Sequence, residues 1–235
     1  AWPELPWWMG LVEIDLRQLQ LNDFNLQEHQ TELLRIEQLQ GQVVWQDLNL
    51  QLNQLVLHSP EFIIEGHFSL DFANPALKSD LQIQPNIPDS PWQQLSISTE
   101  LQPEEELLLF GPVKLSITDS QDRQINIAGD LGLASEELQF RQLRLQRPDR
   151  SGTLIATGSL NFGGPTIGLN SRLKLNELDL QAETGQAIRL SGTMEIAGIM
   201  NQYQGNFKLQ NRAEKPFDIQ LTGDFSGGQQ HLQLT

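Results

Sequence analysis

Apolar and polar residues alternate along most of this chain with a period of two. From Val12 to Leu26 the apolar residues fall at Ile14 and Leu16, at Leu19 and Leu21, and at Phe24 and Leu26, with a single-residue slip between pairs. Period two sends successive side chains to opposite faces of a strand, and a slip marks a bulge or a tight turn. The beat continues at Leu50 and Leu52, then after a slip at Leu55 and Leu57. It runs through Phe62, Ile64, Phe68, Leu70 and Phe72, with Gly66 on the third beat. Leu81 and Ile83, Leu95 and Ile97, and Val113, Leu115 and Ile117 follow. Leu138 and Phe140, Leu143 and Leu145, Leu173 and Leu175, Leu178 and Leu180, and Phe207 and Leu209 repeat it to near the end. No 3.6-residue period is sustained over twelve residues, so the pattern predicts an all-β fold with at most one or two short helical turns. Ser90-Pro91-Trp92 and Pro103 to Leu107 are the candidates for those turns, because Pro suits a first helical position and acids suit a first turn.

Turn residues punctuate the pattern at Asn74-Pro75, Pro85 to Pro91, Asp119-Ser120, Pro148-Asp149 and Gly163-Gly164-Pro165. One phrase recurs: Gly, any residue, apolar, any residue, apolar. It stands at Gly66-His67-Phe68-Ser69-Leu70, and opens again at Gly129, Gly158 and Gly192, with a worn copy at Gly223. The spacings are 63, 29, 34 and 31 residues, so a copy near position 97 has lost its glycine. This predicts imperfect repeats of about 31 residues, each with room for about three strands of seven to nine residues. Roughly 22 strands spaced by about 4.8 Å would then make an elongated, curved antiparallel sheet. Residues 1–11 read as a leading segment or cut edge, with Trp2, Trp7 and Trp8 suited to packing on a preceding repeat. Residues 12–235 read as one continuous repetitive β-structure, with a turn-rich break near 85–92. One face of nearly every strand is apolar and the other is rich in Gln, Asn, Ser, Thr and charged residues, the mark of antiparallel sheet with one wet face. The apolar face either folds on itself as a sealed core or stays open to an apolar ligand.

Composition narrows the function. The 235 residues carry a formal net charge of −15 and no Cys. Such acidity disfavours nucleic acid and anionic membrane surfaces, and the missing Cys removes disulfides, thiolate metal sites and Cys nucleophiles. No run of about 18 apolar residues exists to span a bilayer. The chain starts without an initiator Met, a basic n-region or an apolar h-region, which suits a mature form or a fragment.

Candidate chemistry is sparse. His29, His58, His67 and His231 show no zinc-binding spacing. No Gly-x-Ser-x-Gly elbow is present, and Gly163 to Gly168 lacks the Gly-Lys-Ser/Thr of a phosphate loop. Glu104-Glu105-Glu106 and Glu136-Glu137 are adjacent acids better suited to solvated turns than to a pair across a cleft. Asp119-Ser120-Gln121-Asp122 lacks the spacing of a calcium loop and reads as a turn. The expectation is a protein with no enzymatic activity, catalytic residue, metal or cofactor.

Three stretches together resemble the AsmA-like superfamily, and most specifically the TamB family of periplasmic proteins. They are Leu50-Gln51-Leu52 leading to Ile64-Glu65-Gly66-His67-Phe68-Ser69-Leu70, Leu145 leading to Ala156-Thr157-Gly158-Ser159-Leu160-Asn161-Phe162, and Leu180 leading to Leu190-Ser191-Gly192-Thr193-Met194-Glu195-Ile196. The resemblance implies a β-taco, a curled sheet with an apolar lumen. It implies a Gram-negative periplasmic protein anchored in the inner membrane by an N-terminal helix, of which this chain would be an internal segment. The implied function is shielding of phospholipid acyl chains between inner and outer membranes, with an outer-membrane barrel assembly protein and adjoining repeats of the same protein as partners. In the first half the lumen would be lined by Ile14, Leu16, Leu50 and Leu52, by Phe62, Ile64, Phe68, Leu70 and Phe72, and by Leu115 and Ile117. In the second half Leu160 and Phe162, Leu173 and Leu175, Leu190, Met194 and Ile196, and Phe207 and Leu209 would continue it. Two alternatives remain beside lipid transport: an assembly or chaperone module acting by β-strand augmentation, and a structural β-solenoid or adhesin fragment.

Overall fold

The computed structural model describes residues 5–28, 31–104, 107–199, 202–211, 220–228 and 231–234. The chain divides into two compact units, Ala1–Gln124 and Ile125–Thr235. The first holds β1 (Ile14–Glu28), β2 (Thr31–Gln46), β3 (Asn49–His58), β4 (Phe62–Asp71), β5 (Ala76–Pro85), β6 (Trp92–Glu104) and β7 (Leu107–Asp119). The second holds β8 (Gln124–Leu133), whose first residue falls at the division, β9 (Glu137–Gln146), β10 (Thr153–Asn161) and β11 (Gly168–Asp179). After a four-residue helix α1 (Gln181–Thr184) come β12 (Arg189–Ile199), β13 (Gln202–Asn211), β14 (Gln220–Gly228) and β15 (His231–Leu234). In each unit the strands form an antiparallel meander whose spatial order is the chain order, and the first strand does not return to pair with the last. The all-β, antiparallel architecture is therefore the one the period-two pattern predicts.

Two expectations are corrected. The helical turns fall elsewhere: Trp92 opens β6, where it pairs with Asp119, and Pro103 and Glu104 close that strand. Glu105 and Glu106 lie outside the described residues. The helical segments among the described residues are a 3-10 turn at Trp7–Leu11 and α1. The strands are also fewer and longer than expected, fifteen among the described residues. Most of the slips in the pattern are bulges inside one strand, not turns between two. Ile14 to Glu28 is a single strand with a register shift between Leu16 and Leu19. Leu138-Phe140 and Leu143-Leu145 belong together to β9, joined through Gln142 at φ 52°. A residue in the left-handed region lets the strand absorb one extra residue, bend and pair again beyond it.

The repeat of about 31 residues is accordingly a hairpin of two strands. Its glycines fall on alternate strands: Gly66 on β4, Gly129 on β8, Gly158 on β10, Gly192 on β12 and Gly223 on β14. The copy missing near position 97 lies on β6, where Ile97 pairs with Leu81, itself the partner of Gly66. The glycine has a steric reason. Gly66 sits at φ 142° and Gly192 at φ 148°, and a Cβ would overlap the carbonyl oxygen of Asp80 or Lys208 on the next strand. The preceding strand is bulged nearby: Gln54 (φ 51°) lies beside the Leu55–Gly66 pair, and Glu177 (φ 49°) beside the Leu175–Gly192 pair. A bulged strand and a glycine on its neighbour thus recur as one bending device.

Candidate functional site

The feature that could carry function is a surface, built rung by rung from cross-strand pairs. Directly opposed residues of an antiparallel ladder point to the same face. In the first unit one rung runs Ile14–Trp45–Leu50–Leu70–Leu77–Leu101. Another runs Leu21–Leu39–Leu57–Ile64–Ile83–Leu95 and ends on Ile117. Between them Leu16, Val43, Leu52 and Phe68 lead through Ser79 and Thr99 to Val113. Leu115 pairs with Ile97 on the same face, and Phe62 pairs with Pro85 one step beyond Ile64.

The second unit repeats the arrangement. Ile127–Leu145–Leu154–Leu175–Gly192–Leu209 form one rung. Leu143–Ala156–Leu173–Met194–Phe207 form the next. Phe140, Gly158, Ser171 and Ile196 form a third, which reaches Gly205 and Phe225. Leu160 pairs with Leu169, and Leu190 with Leu178. None of these rungs carries Asp, Glu, Lys or Arg.

The residues expected to line a lumen therefore share one face within each unit, with one exception. Phe162 stands just past the end of β10, 44% exposed, in the loop to β11. Phe72 likewise follows β4, but its ring lies 5.8 Å from that of Trp45, on the apolar face. Most of these side chains are half-buried; Leu175 is buried, and Ile14 and Leu16 on the marginal strand β1 are exposed.

Some of the most enclosed residues of the face are absent from the expected set. Trp45 is buried, and its Nε1–H donates to the Met9 carbonyl at 3.0 Å, so the 3-10 turn lies against that end of the first rung. Leu101, Leu109, Val113 and Phe225 are buried as well. Leu109 sits in the run Leu107-Leu108-Leu109-Phe110 and Trp45 in Val43-Val44-Trp45, where consecutive apolar residues leave no alternation to assign a face. Trp8 is exposed, and Trp2 lies outside the described residues.

The opposite face is mostly polar and charged, although Val44, Val56, Ile63 and Ile155 also fall on it by register. Lys78 and Glu100, cross-strand partners, form an ion pair at 2.6 Å, and its hydrogen bond and charge hold Glu100 below the usual carboxylate range. In the second unit Arg172 Nε–H donates to Glu195 Oε1 at 2.9 Å and Asn206 Nδ2–H donates to Oε2 at 3.4 Å. Those hydrogen bonds, then the Arg172 charge, lower Glu195 in the same way. Thr157, Arg172, Glu195 and Asn206 edge an open groove of about 610 Å³. His67 is exposed and faces the Asp80 position. The Asp119 to Arg123 segment is a turn in which Asp119 Oδ1 accepts from the backbone N–H groups of Gln121 and Arg123. Among the described residues, no three His, Asp or Glu side chains gather where they could hold a metal ion. His29 lies outside the described residues. What this arrangement offers is an uncharged, largely apolar surface on one face of each unit. Comparisons with protein-family models, curated proteins and solved structures found no match.

Proposed function

We propose that this chain is a non-enzymatic segment of a TamB-like periplasmic protein, in which the apolar face of each unit shields phospholipid acyl chains between the inner and outer membranes. The full protein would be held in the inner membrane by a segment outside this sequence. The observation that supports the reading is the set of uncharged rungs crossing every strand from β1 to β7 and from β8 to β14, most of whose side chains stay half-buried. Hydrocarbon laid along such rungs gains roughly 25 cal/mol for each Å² of apolar surface taken from water, and needs no specific polar contact. The charged opposite face keeps the sheet in solution, and the net charge of −15 opposes edge-to-edge association. A second reading, assembly of outer-membrane proteins by strand augmentation, is favoured by β1, a marginal strand whose Ile14, Leu16 and Leu21 are all exposed.

Mass spectrometry of lipid extracted from the purified chain tests the first reading. Phospholipid should co-purify with the parent. Ile64→Arg or Leu70→Arg, each placing a charge on a rung, should strip most of it while the melting transition survives. Gln51→Arg, on the exposed polar face, should keep the lipid. A folded Ile64→Arg chain that retains the parent's lipid would defeat the proposal.

A further inference from the structure

The loop joining β10 to β11 differs from the other described hairpin loops. Those at Phe72 to Pro75, Ser120 to Arg123 and Arg147 to Gly152 follow or contain acids or bases, with Asp71, Asp119 and Asp149 bonding their own turns. Asn161-Phe162-Gly163-Gly164-Pro165-Thr166-Ile167-Gly168 has no ionisable side chain at all. It carries instead two large apolar residues, Phe162 and Ile167, each 44% exposed. Their places are symmetrical. Leu160 pairs with Leu169 and Asn161 with Gly168, so Phe162 and Ile167 are the next step outward on the alternation that makes the apolar face. The loop is held in place: Phe162 N–H donates to the Glu136 carbonyl at 2.8 Å, and the Glu136 carboxyl group packs against Gly163, the residue after Phe162.

We infer that this loop is a membrane-contacting lip, which sets Phe162 and Ile167 into the interface of a bilayer at the rim of the apolar face. The inference rests on the lipid-shielding reading and gives it a point of lipid entry or exit. Two exposed apolar side chains on a loop without ionisable residues suit the boundary between headgroups and acyl chains. The strongly acidic chain directs the choice to an uncharged or zwitterionic surface, because an anionic one repels it. Glu136, exposed beside Gly163, limits the depth of insertion, because its carboxylate stays among headgroups.

Flotation of the purified chain with phosphatidylcholine vesicles tests the lip. The parent should float with the vesicles. Phe162→Ser with Ile167→Ser should reduce the bound fraction about tenfold, the effect of removing two partly inserted apolar side chains. The melting transition of this double variant should match the parent's, since both residues are exposed. Ile87→Ser, at another exposed apolar loop residue, should float as the parent does. A double variant that floats unchanged, or a parent that does not float, would overturn the lip. Lipid carried through purification reports separately on the rungs: loss of flotation with retained lipid is the expected signature, and loss of both in the double variant would assign Phe162 and Ile167 to the rungs instead.

Discussion

Gly192 shows what a single residue contributes to this sheet. Its φ of 148° is one that L side chains rarely adopt, and the Lys208 carbonyl oxygen occupies the space a Cβ would need. Gly192→Ala should therefore destabilise the second unit by about 2 kcal/mol or more, from backbone strain and displacement of β13. Gly168→Ala should change little, because the nearest atom to a Cβ there is Asn161 Cβ at 3.7 Å. Urea unfolding followed by circular dichroism reads both. A Gly192→Ala midpoint equal to the parent's would remove the glycine from the bending device. The repeat of the glycine was legible in the sequence, but its cause was not. The obstruction comes from a residue sixteen positions away on the next strand, and pairing register is invisible to a pattern read along one strand.

At the scale of strands, pairs on the wet face couple stability to pH. The Glu195 pKa is lowered in the folded state by Arg172 and Asn206. A depressed folded pKa contributes stability that is present above the unfolded value, near 4.5, and is lost as pH falls through the folded value. Glu195→Gln should thus lie slightly below the parent in stability at pH 6 to 7, by the small amount expected of an exposed pair. The gap should close as pH drops below about 4.5. Unfolding curves at pH 6.5 and 3.5 check it, and a gap that widens in acid would reverse the assignment. Strands were the most legible elements, because alternation at Phe62 to Leu70 or Phe207 to Leu209 fixes both type and apolar face. Their number is less legible, for a physical reason. Gln54, Gln142 and Glu177 take left-handed backbone angles without being glycine, so each slip resembled a turn while the strand ran on. Runs such as Leu107 to Phe110 hid the deeply buried Leu109, since consecutive apolar residues specify no face.

For the molecule as a whole, acidity and apolar surface are divided between the two faces of each unit. The named rungs hold no charge, while ion pairs such as Lys78–Glu100 and Arg172–Glu195 lie opposite. A surface of this kind gains free energy when hydrocarbon covers it, and the polar face gives that hydrocarbon no comparable place. A photo-crosslinking amino acid placed in the parent protein in Gram-negative cells reads the division directly. From Ile64 and Met194, on the rungs of the two units, phospholipid adducts should form in quantity. From Gln51 and Thr193, on the exposed polar side, they should be near background. Adducts forming equally from both faces, or from neither Ile64 nor Met194, would contradict the account.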